Sequence, residues 1–185
     1  MAATLSENVV IKTGDNQFLT HVTHQILLKE AVIGSLSYSI YEFGKAFEFS
    51  AARVWLARED NYIGRLQKYL LDDQYKVATL SEFISSGLVG PQRCAIIDDV
   101  VMNTPYRYIG TELRMIRELL TQCEMKFSFA MLPNWKSFCD WLGINDEYKT
   151  EELGKLGFYP LDDYLAFRYL DDEMLNILIN DSVVV

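Results

Sequence analysis

Residues 94–102 read CAIIDDVVM, and this segment is the most informative about the fold of the chain. Its apolar and β-branched residues stand on both sides of two aspartates, Asp98 and Asp99, which is typical of a central strand that is covered on both faces. Residues 103–105 read NTP and predict a tight turn. Residues 106–123 then repeat apolar side chains at spacings of three and four, as in an amphipathic helix. The sequence therefore predicts a strand, a turn and a helix in direct succession.

Strands and helices continue to alternate toward the C-terminus. Residues 126–132 read KFSFAML and predict a second buried strand, which Pro133 and Asn134 close. A further helix is expected from Trp135, and residues 157–170 alternate aromatic and polar side chains as a pair of strands would. Strands followed by helices, around a sheet covered on both faces, predict the α/β or α+β class.

The first third of the chain contains none of the four prolines, which favours helices there. Asp15 and Asn16 are good helix caps, and apolar residues follow them at spacings of three and four. These residues are Phe18, Val22, Ile26, Leu27 and Ile33. Gly34 or Gly44 is expected to mark a break. Residues 1–51 are therefore predicted to form an N-terminal helical part.

Length and charge limit the function. At 185 residues the chain has room for one domain, which we divide into 1–51, a core at 52–170 and a C-terminal segment at 171–185. A net charge of −9 would repel polyphosphate, so non-specific nucleic-acid binding is not expected. The chain has no signal-like start and no apolar run near the ~20 residues of a membrane helix. We therefore expect a cytoplasmic protein that binds neither a membrane nor a nucleic acid.

The strongest local pattern lies where the predicted turn meets the predicted helix. Arg107, Tyr108, Ile109 and Gly110 read RYIG, and the N-terminus of a helix offers unpaired N–H groups to phosphate oxygens. This segment resembles the acyl-CoA-binding motif of the GNAT N-acetyltransferase family, which has Arg or Gln, two residues, Gly, one residue, then Gly or Ala. Glu112 stands at the last position of that motif.

Three further segments resemble the same family, in the same order along the chain. Residues 54–66 resemble the hairpin of its second and third strands, which encloses an acidic turn. Residues 127–134 resemble its fifth strand, and Asn134 with Ser137 resembles the opening of the next helix. Residues 155–158, KLGF, resemble the end of that helix and the start of the last strands.

The resemblance implies both a fold and an activity. The fold is a GNAT-like mixed central sheet that is flanked by helices and splayed between the strands at 94–102 and 126–132. The activity is N-acetyltransfer, in which acetyl-CoA gives its acetyl group to an amine of a small molecule or a protein. Acetyl-CoA is then a co-substrate, and no metal is expected.

The resemblance also assigns residues to acetyl-CoA. Backbone N–H groups in the run from Arg107 to Thr111, which includes Tyr108, Ile109 and Gly110, would hold the pyrophosphate. A backbone N–H near Val100 or Met102 would face the thioester carbonyl. Asn134 would contact the pantetheine arm.

Catalysis by direct attack of the amine needs a group that removes its proton and a group that protonates the leaving thiolate. The family's strand-borne acid corresponds to Asp98 or Asp99, and strand alternation predicts that only one of them faces the cleft. The tyrosine that commonly acts as the acid corresponds to Leu153 in this sequence. Tyr148 could supply the hydroxyl instead, and Tyr159 is another neighbour.

Two functions without catalysis stay open. A catalytically inactive GNAT-like subunit of a larger assembly is favoured by Glu112, by Leu153 and by the apolar residues 175–185, LNILINDSVVV, which could pack against a partner or a second copy of the chain. An acidic inhibitor that imitates nucleic-acid charge would need its carboxylates gathered on one face. His21 and His24 lie three residues apart, but no third ligand with suitable spacing follows, so a metal site is not predicted.

Overall fold

The computed structural model describes residues 3–13, 19–42, 93–107, 110–124, 126–127, 129–160 and 163–170. Within these residues, seven strands form one sheet in the order β1-β2-β3-β4-β5-β7-β6. Neighbouring strands are antiparallel, except that β4 and β5 run parallel. The strands are β1 (Thr4–Thr13), β2 (Leu19–Leu28), β3 (Ala31–Tyr41), β4 (Cys94–Met102), β5 (Phe129–Pro133), β6 (Tyr159–Pro160) and β7 (Leu165–Tyr169).

Three α-helices accompany the sheet in the described part of the chain. They are α1 (Thr111–Cys123), α2 (Trp135–Trp141) and α3 (Lys149–Lys155), with short 3-10 helices at Thr104–Tyr106 and Asp146–Tyr148. The connection from β4 to β5 runs through α1, because parallel neighbours need a crossover that brings the chain back to the same end of the sheet. None of the described helices is both long enough and apolar enough to cross a bilayer.

The main core lies between one face of the sheet and α1. Alternate residues of the strands point to this face, including Ile26, Leu36 and Val100, and all three are fully buried. The buried face of α1 presents Met115, Ile116, Leu119 and Leu120 to them. Two polar contacts tie the first strand to this helix: the Leu5 N–H donates to Glu118 Oε1 at 3.0 Å, and Arg114 donates to the Ala3 carbonyl at 3.1 Å.

The prediction of helices in the N-terminal part is wrong for the described residues, because 4–13, 19–28 and 31–41 are strands. Val22 and Ile26 are four residues apart, and that spacing places two residues on one face of a strand as well as of a helix. Gly34 does not end an element, since it lies inside β3, where a side chain would collide with the Val101 carbonyl. Lys29 and Glu30 form the turn between β2 and β3, with φ angles of 50° and 69°.

The prediction of a mixed α/β chain is confirmed, with a sheet that is mostly antiparallel, as in α+β proteins. The strand predicted at residues 94–102 has those bounds, whereas β5 begins at Phe129 instead of residue 126. The helix predicted from residue 106 begins at Thr111, because Thr104–Tyr106 is a 3-10 turn and Gly110 has a φ of 74°. The hairpin predicted at 54–66, the caps Asp15 and Asn16, and the segment 171–185 lie outside the described residues.

Candidate functional site

A cavity of about 350 Å³ lies where β4 and β5 diverge. The two strands are paired only from Cys94 to Ile96 on β4 and from Phe129 to Met131 on β5. Beyond these three pairs the wall of the cavity is formed by both strands and by α2. Its volume is within the range of small-molecule sites. The lining is apolar at Ile97, Leu132, Pro133, Phe138 and Trp141, and polar at Asp98, Asp99, Asn134, Ser137 and Tyr164.

Both aspartates of β4 line this cavity, so the prediction that only one of them could face it is wrong. Asp99 pairs with Ser37 and Ile97 pairs with Tyr38, which leaves Asp98 as the extra residue of a β-bulge. A bulge interrupts the strict alternation of faces and bends its strand. The Asp98 carboxylate accepts a hydrogen bond from Ser39, which is on the same face of β3 as Ser37. The bulge therefore gathers two carboxylates on one face, next to the point where the strands separate.

The Asp98 carboxylate belongs to a hydrogen-bonded chain that spans three strands. Ser39 Oγ donates to Asp98 Oδ2 at 2.5 Å, and His21 Nδ1 lies 2.7 Å from the same Ser39 Oγ. His21 Nδ1 and Asp98 Oδ2 are 3.8 Å apart. Burial raises the pKa of Asp98 above its ordinary value, while the Ser39 hydrogen bond and the nearby His21 oppose that rise.

The N-terminus of α1 follows β4 and opens at Gly110. Gly110 caps the helix in the left-handed region, and a Cβ placed there would meet no described atom within 4 Å. The neighbouring Glu112 is almost fully buried, with 1% of its surface exposed. Its carboxylate is therefore turned into the protein instead of toward the open side of the helix end. The carboxylate at the last position of the motif therefore does not project from this end into solvent.

Arg107 lies beside α2, with its guanidinium carbon 5.2 Å from the centroid of the Trp141 ring. This distance is within the range of a cation–π contact, and Trp141 is one of the residues that line the cavity. The structure therefore brings the first residue of the motif to the edge of the cavity. Tyr108 and Ile109 lie outside the described residues.

The remaining residues assigned to acetyl-CoA fall into two groups. Asn134 lines the cavity and caps α2 with a φ of 51°. Val100 and Met102 bury their side chains in the core and pair with Leu36 and Gly34 of β3. Only their backbone groups could take part in a site at this cavity. Thr111 is buried at the first position of α1.

Neither of the two tyrosines predicted to supply a hydroxyl, Tyr148 and Tyr159, lines the cavity, and Tyr159 is 61% exposed on β6. Leu153, at the family's tyrosine position, is buried in the core. Tyr148 is half exposed at the end of a 3-10 helix, and it is not among the residues that line the cavity. Tyr164 does line the cavity, and its carbonyl accepts a hydrogen bond from the Trp135 N–H at 3.4 Å.

Sequence reasoning missed Tyr164, Phe138 and Trp141 as parts of a site. Tyr164 stands just before β7, whose Leu165 pairs with Pro133 of β5, so the pairing brings this tyrosine to the open end of β5. A weak signal was present, because Trp135, Phe138 and Trp141 recur at a spacing of three directly after the residue proposed to contact pantetheine. The link between His21 and Ser39 had no signal, because residues 18–33 were interpreted as a helix.

Among the described residues, no group of three or more His, Cys, Asp or Glu side chains is arranged to hold a metal ion. His21 contacts Ser39, whereas His24 is buried and its Nδ1 donates to the Ser6 carbonyl at 3.0 Å. The two histidines are on opposite faces of β2, since they are three residues apart on a strand.

The comparisons with known proteins identify no relative. No protein-family model, no curated protein and no solved structure matches the chain.

Proposed function

We propose that the protein is a GNAT-like N-acetyltransferase that moves an acetyl group from acetyl-CoA to an amine. The observation that carries the proposal is the divergence of β4 and β5 around a cavity that both Asp98 and Asp99 line. The resemblance places the splay of the sheet between these two strands. A gap between parallel strands suits an extended arm such as pantetheine, because strand edges that are not paired offer backbone groups to it.

The diphosphate of acetyl-CoA would lie at the N-terminus of α1. A helix of 13 residues has a positive end with unpaired N–H groups, and the open space beside Gly110 leaves room for phosphate oxygens. The side chain of Glu112 is buried, so it does not occupy the open space beside this end of the helix. Arg107, held over Trp141, would add a positive charge near the cavity.

The reaction needs one group that removes a proton from the amine and another that protonates the leaving thiolate. The amine nitrogen attacks this carbon, the C–N bond forms, and the C–S bond breaks so that the thiol of CoA leaves. The carboxylates of Asp98 and Asp99 would attract a cationic amine into the cavity, and one of them would accept the proton that the amine must lose to become neutral. Tyr164 lines the same cavity, and we assign to its hydroxyl the protonation of the thiolate.

A calorimetric titration with acetyl-CoA tests this proposal. Ser137 is exposed on α2 and lines the cavity, so Ser137→Trp should fill it without disturbing the core. Gln122→Trp, on the exposed face of α1, is the matched control. We expect micromolar binding by the wild type and by Gln122→Trp, and at least tenfold weaker binding by Ser137→Trp. Absence of heat from a well-folded wild type would refute the proposal.

A partner-binding or structural subunit on the same scaffold is the second candidate. Two observations favour it: Leu153 supplies no hydroxyl, and apolar side chains are exposed at Val10, Ile11, Val32 and Val101. Val10, Val32 and Val101 line one shallow groove across β1, β3 and β4. A wild-type protein that binds no acetyl-CoA but sediments as an oligomer would support this candidate.

A further inference from the structure

The hydrogen bonds around Ser39 fix where protons lie on the neighbouring side chains. Ser39 is fully buried at the centre of β3, between His21 on β2 and Asp98 on β4. A hydroxyl group has one proton, and the structure directs that proton to Asp98 Oδ2 at 2.5 Å. The Ser39 oxygen is then an acceptor toward His21, so its 2.7 Å contact with Nδ1 requires a proton on Nδ1.

This arrangement leaves a lone pair on the other ring nitrogen of neutral His21. A neutral imidazole carries one N–H, and with that proton on Nδ1 the nitrogen Nε2 is unprotonated and basic. Ser39 and Asp98 then support His21 in the way that a carboxylate supports a catalytic histidine, except that one hydroxyl is interposed. The side chain of His21 is 43% exposed, and it is joined through Ser39 to Asp98, which lines the cavity.

We infer that Nε2 of His21 takes the proton from the acceptor amine, and that Ser39 and Asp98 are positioning residues that fix its tautomer. This role deepens the proposed acyl transfer and rests on it. The nitrogen forms its bond to the carbonyl carbon and gives its proton to Nε2, while the electron pair of the C–S bond leaves with sulfur. The thiolate takes up a proton to become the CoA thiol, and the imidazolium later returns its proton to solvent.

The positions of the charges agree with this division of roles. The imidazolium formed during the reaction carries a positive charge, and Asp98 Oδ2 lies 3.8 Å from Nδ1, where an ionised carboxylate stabilises it. Asp98 itself is less exposed than His21, and its Oδ2 is already an acceptor for Ser39. Ser39 is too deeply buried to act as a nucleophile. His21 has the most exposed side chain of these three residues, and its Nε2 takes no part in the hydrogen bonds with Ser39 and Asp98.

The chain contains two histidines, which makes the tautomer directly measurable. Two-bond ¹H–¹⁵N spectra of protein labelled only in histidine distinguish a proton on Nδ1 from one on Nε2. At a pH where the rings are neutral, we expect His21 to carry its proton on Nδ1 in the wild type and on Nε2 in Ser39→Ala. Ser37→Ala is the matched control. Ser37 makes a similar cross-strand hydrogen bond, at 3.0 Å to Thr23, but it is not part of the hydrogen bonds that join His21, Ser39 and Asp98. His24 serves as an internal reference whose Nδ1 donates to a carbonyl in every variant.

Reactivity and turnover provide the second readout. Diethyl pyrocarbonate should modify His21 of the wild type at least tenfold faster than the buried His24, and Ser39→Ala should slow its reaction at His21 severalfold more than Ser37→Ala does. With spermidine as the amine probe, His21→Gln should lower kcat by about 10²- to 10⁴-fold while leaving the Kd for acetyl-CoA unchanged.

Different results would overturn the inference about His21 and the proposed acyl transfer. A wild-type His21 with its proton on Nε2, or one whose tautomer Ser39→Ala leaves unchanged, overturns the inference about His21. Turnover that His21→Gln leaves within twofold of the wild type also overturns it. Failure of the proposed acyl transfer would appear instead as a wild type that binds no acetyl-CoA, whatever the tautomer of His21.

Discussion

Asp98 and Asp99 are adjacent in the sequence, yet both line the cavity on one face of the sheet. Regular alternation would have separated them, and the bulge at Asp98 is what brings them together. Two carboxylates at a partly closed site favour binding of cations, and burial raises the pKa of Asp98.

Replacement of Asp98 by Asn should change stability in a pH-dependent way. Burial raises the folded-state pKa of Asp98, so the folded protein binds this proton more tightly than the unfolded chain does. That preference contributes fully below the ordinary pKa of about 4 and is lost as pH rises through the raised value. At pH 7 the ionised carboxylate therefore opposes folding, and Asp98→Asn should be more stable than the wild type. Below about pH 4 the two proteins should converge.

Urea unfolding at several pH values measures this difference. Asn keeps an oxygen that can accept the Ser39 hydrogen bond, so the variant tests the charge more than the contact. Asp99→Asn, at an exposed position, is the control and should change stability by less than about 0.5 kcal/mol. A loss of stability in Asp98→Asn at pH 7 would show that attraction to His21 outweighs the effect of burial.

Gly110→Ala and Gly154→Ala should change stability in opposite directions. A Cβ at either position would meet no described atom within 4 Å, so neither variant creates a clash. Gly110 has a φ of 74°, and an L-residue in this region costs about 1–2 kcal/mol. Gly154 lies inside α3, where Ala is more favourable than Gly by up to about 1 kcal/mol.

Thermal unfolding of the two variants measures this contrast. Circular dichroism at equal protein concentration gives both midpoints, with the wild type as reference. A gain in stability for Gly110→Ala would mean that residue 110 adopts an ordinary helical conformation. The proposed phosphate site at the start of α1 would then be wrong.

Tyr164→Phe should reduce turnover more than Tyr148→Phe. Tyr164 lines the cavity beside Asn134 and Ser137, whereas Tyr148 is half exposed and is not among the lining residues. Loss of a general acid typically lowers kcat by about 10²- to 10⁴-fold, and the Kd for acetyl-CoA should hardly change. Release of CoA thiol with spermidine as acceptor measures both variants. A larger loss of turnover in Tyr148→Phe would indicate that Tyr148, in the 3-10 helix before α3, is the acid instead.

The three cysteines should react slowly with thiol reagents while the protein is folded. Cys94, Cys123 and Cys139 are all buried. Burial raises the pKa of Cys139 to about 11 and that of Cys123 to about 12, and it raises the pKa of Cys94 further. At pH 8 almost no reactive thiolate is present. Ellman's reagent should detect three thiols only after denaturation, and rapid reaction of a folded-state thiol would contradict the packing around it.

The strand at residues 94–102 and helix α1 could be predicted, because the pattern of apolar residues in each fits only one type of secondary structure. The run of residues 94–102 is bounded by Arg93 and by Asn103, and its β-branched residues leave little alternative to a buried strand. Helix α1 follows because the spacing of its apolar residues suits only a helix. In both cases local preference and tertiary packing agree, so the prediction succeeds.

The N-terminal strands were not predictable in the same way. The alternation of β2 is hidden, because the inward position between Val22 and Ile26 is a buried histidine, His24, that is satisfied by the Ser6 carbonyl. The hairpin turn consists of Lys29 and Glu30, which adopt positive φ angles without the Gly or Asn that usually marks such a turn. Long-range pairing overrides local preference here.

The candidate site was predictable only in its strand-borne part. Asp98, Asp99 and Asn134 were selected from the sequence, and all three line the cavity. Strand pairings between residues far apart in the chain bring Tyr164 to the cavity and His21 to Ser39, which contacts Asp98. The bulge that turns both aspartates to one side depends on the register between β3 and β4, which no single segment determines.

The junction between β4 and β5 is three residue pairs long, and this length sets the size of the opening beside it. One more pair, between Ile97 and Leu132, would draw the two strands together and close the space that these residues now border. The number of residue pairs between the two strands therefore sets an upper limit to the size of a molecule that the cavity can hold. A shift in the point of separation along the strands would widen or narrow the cavity without exchanging any side chain that lines it.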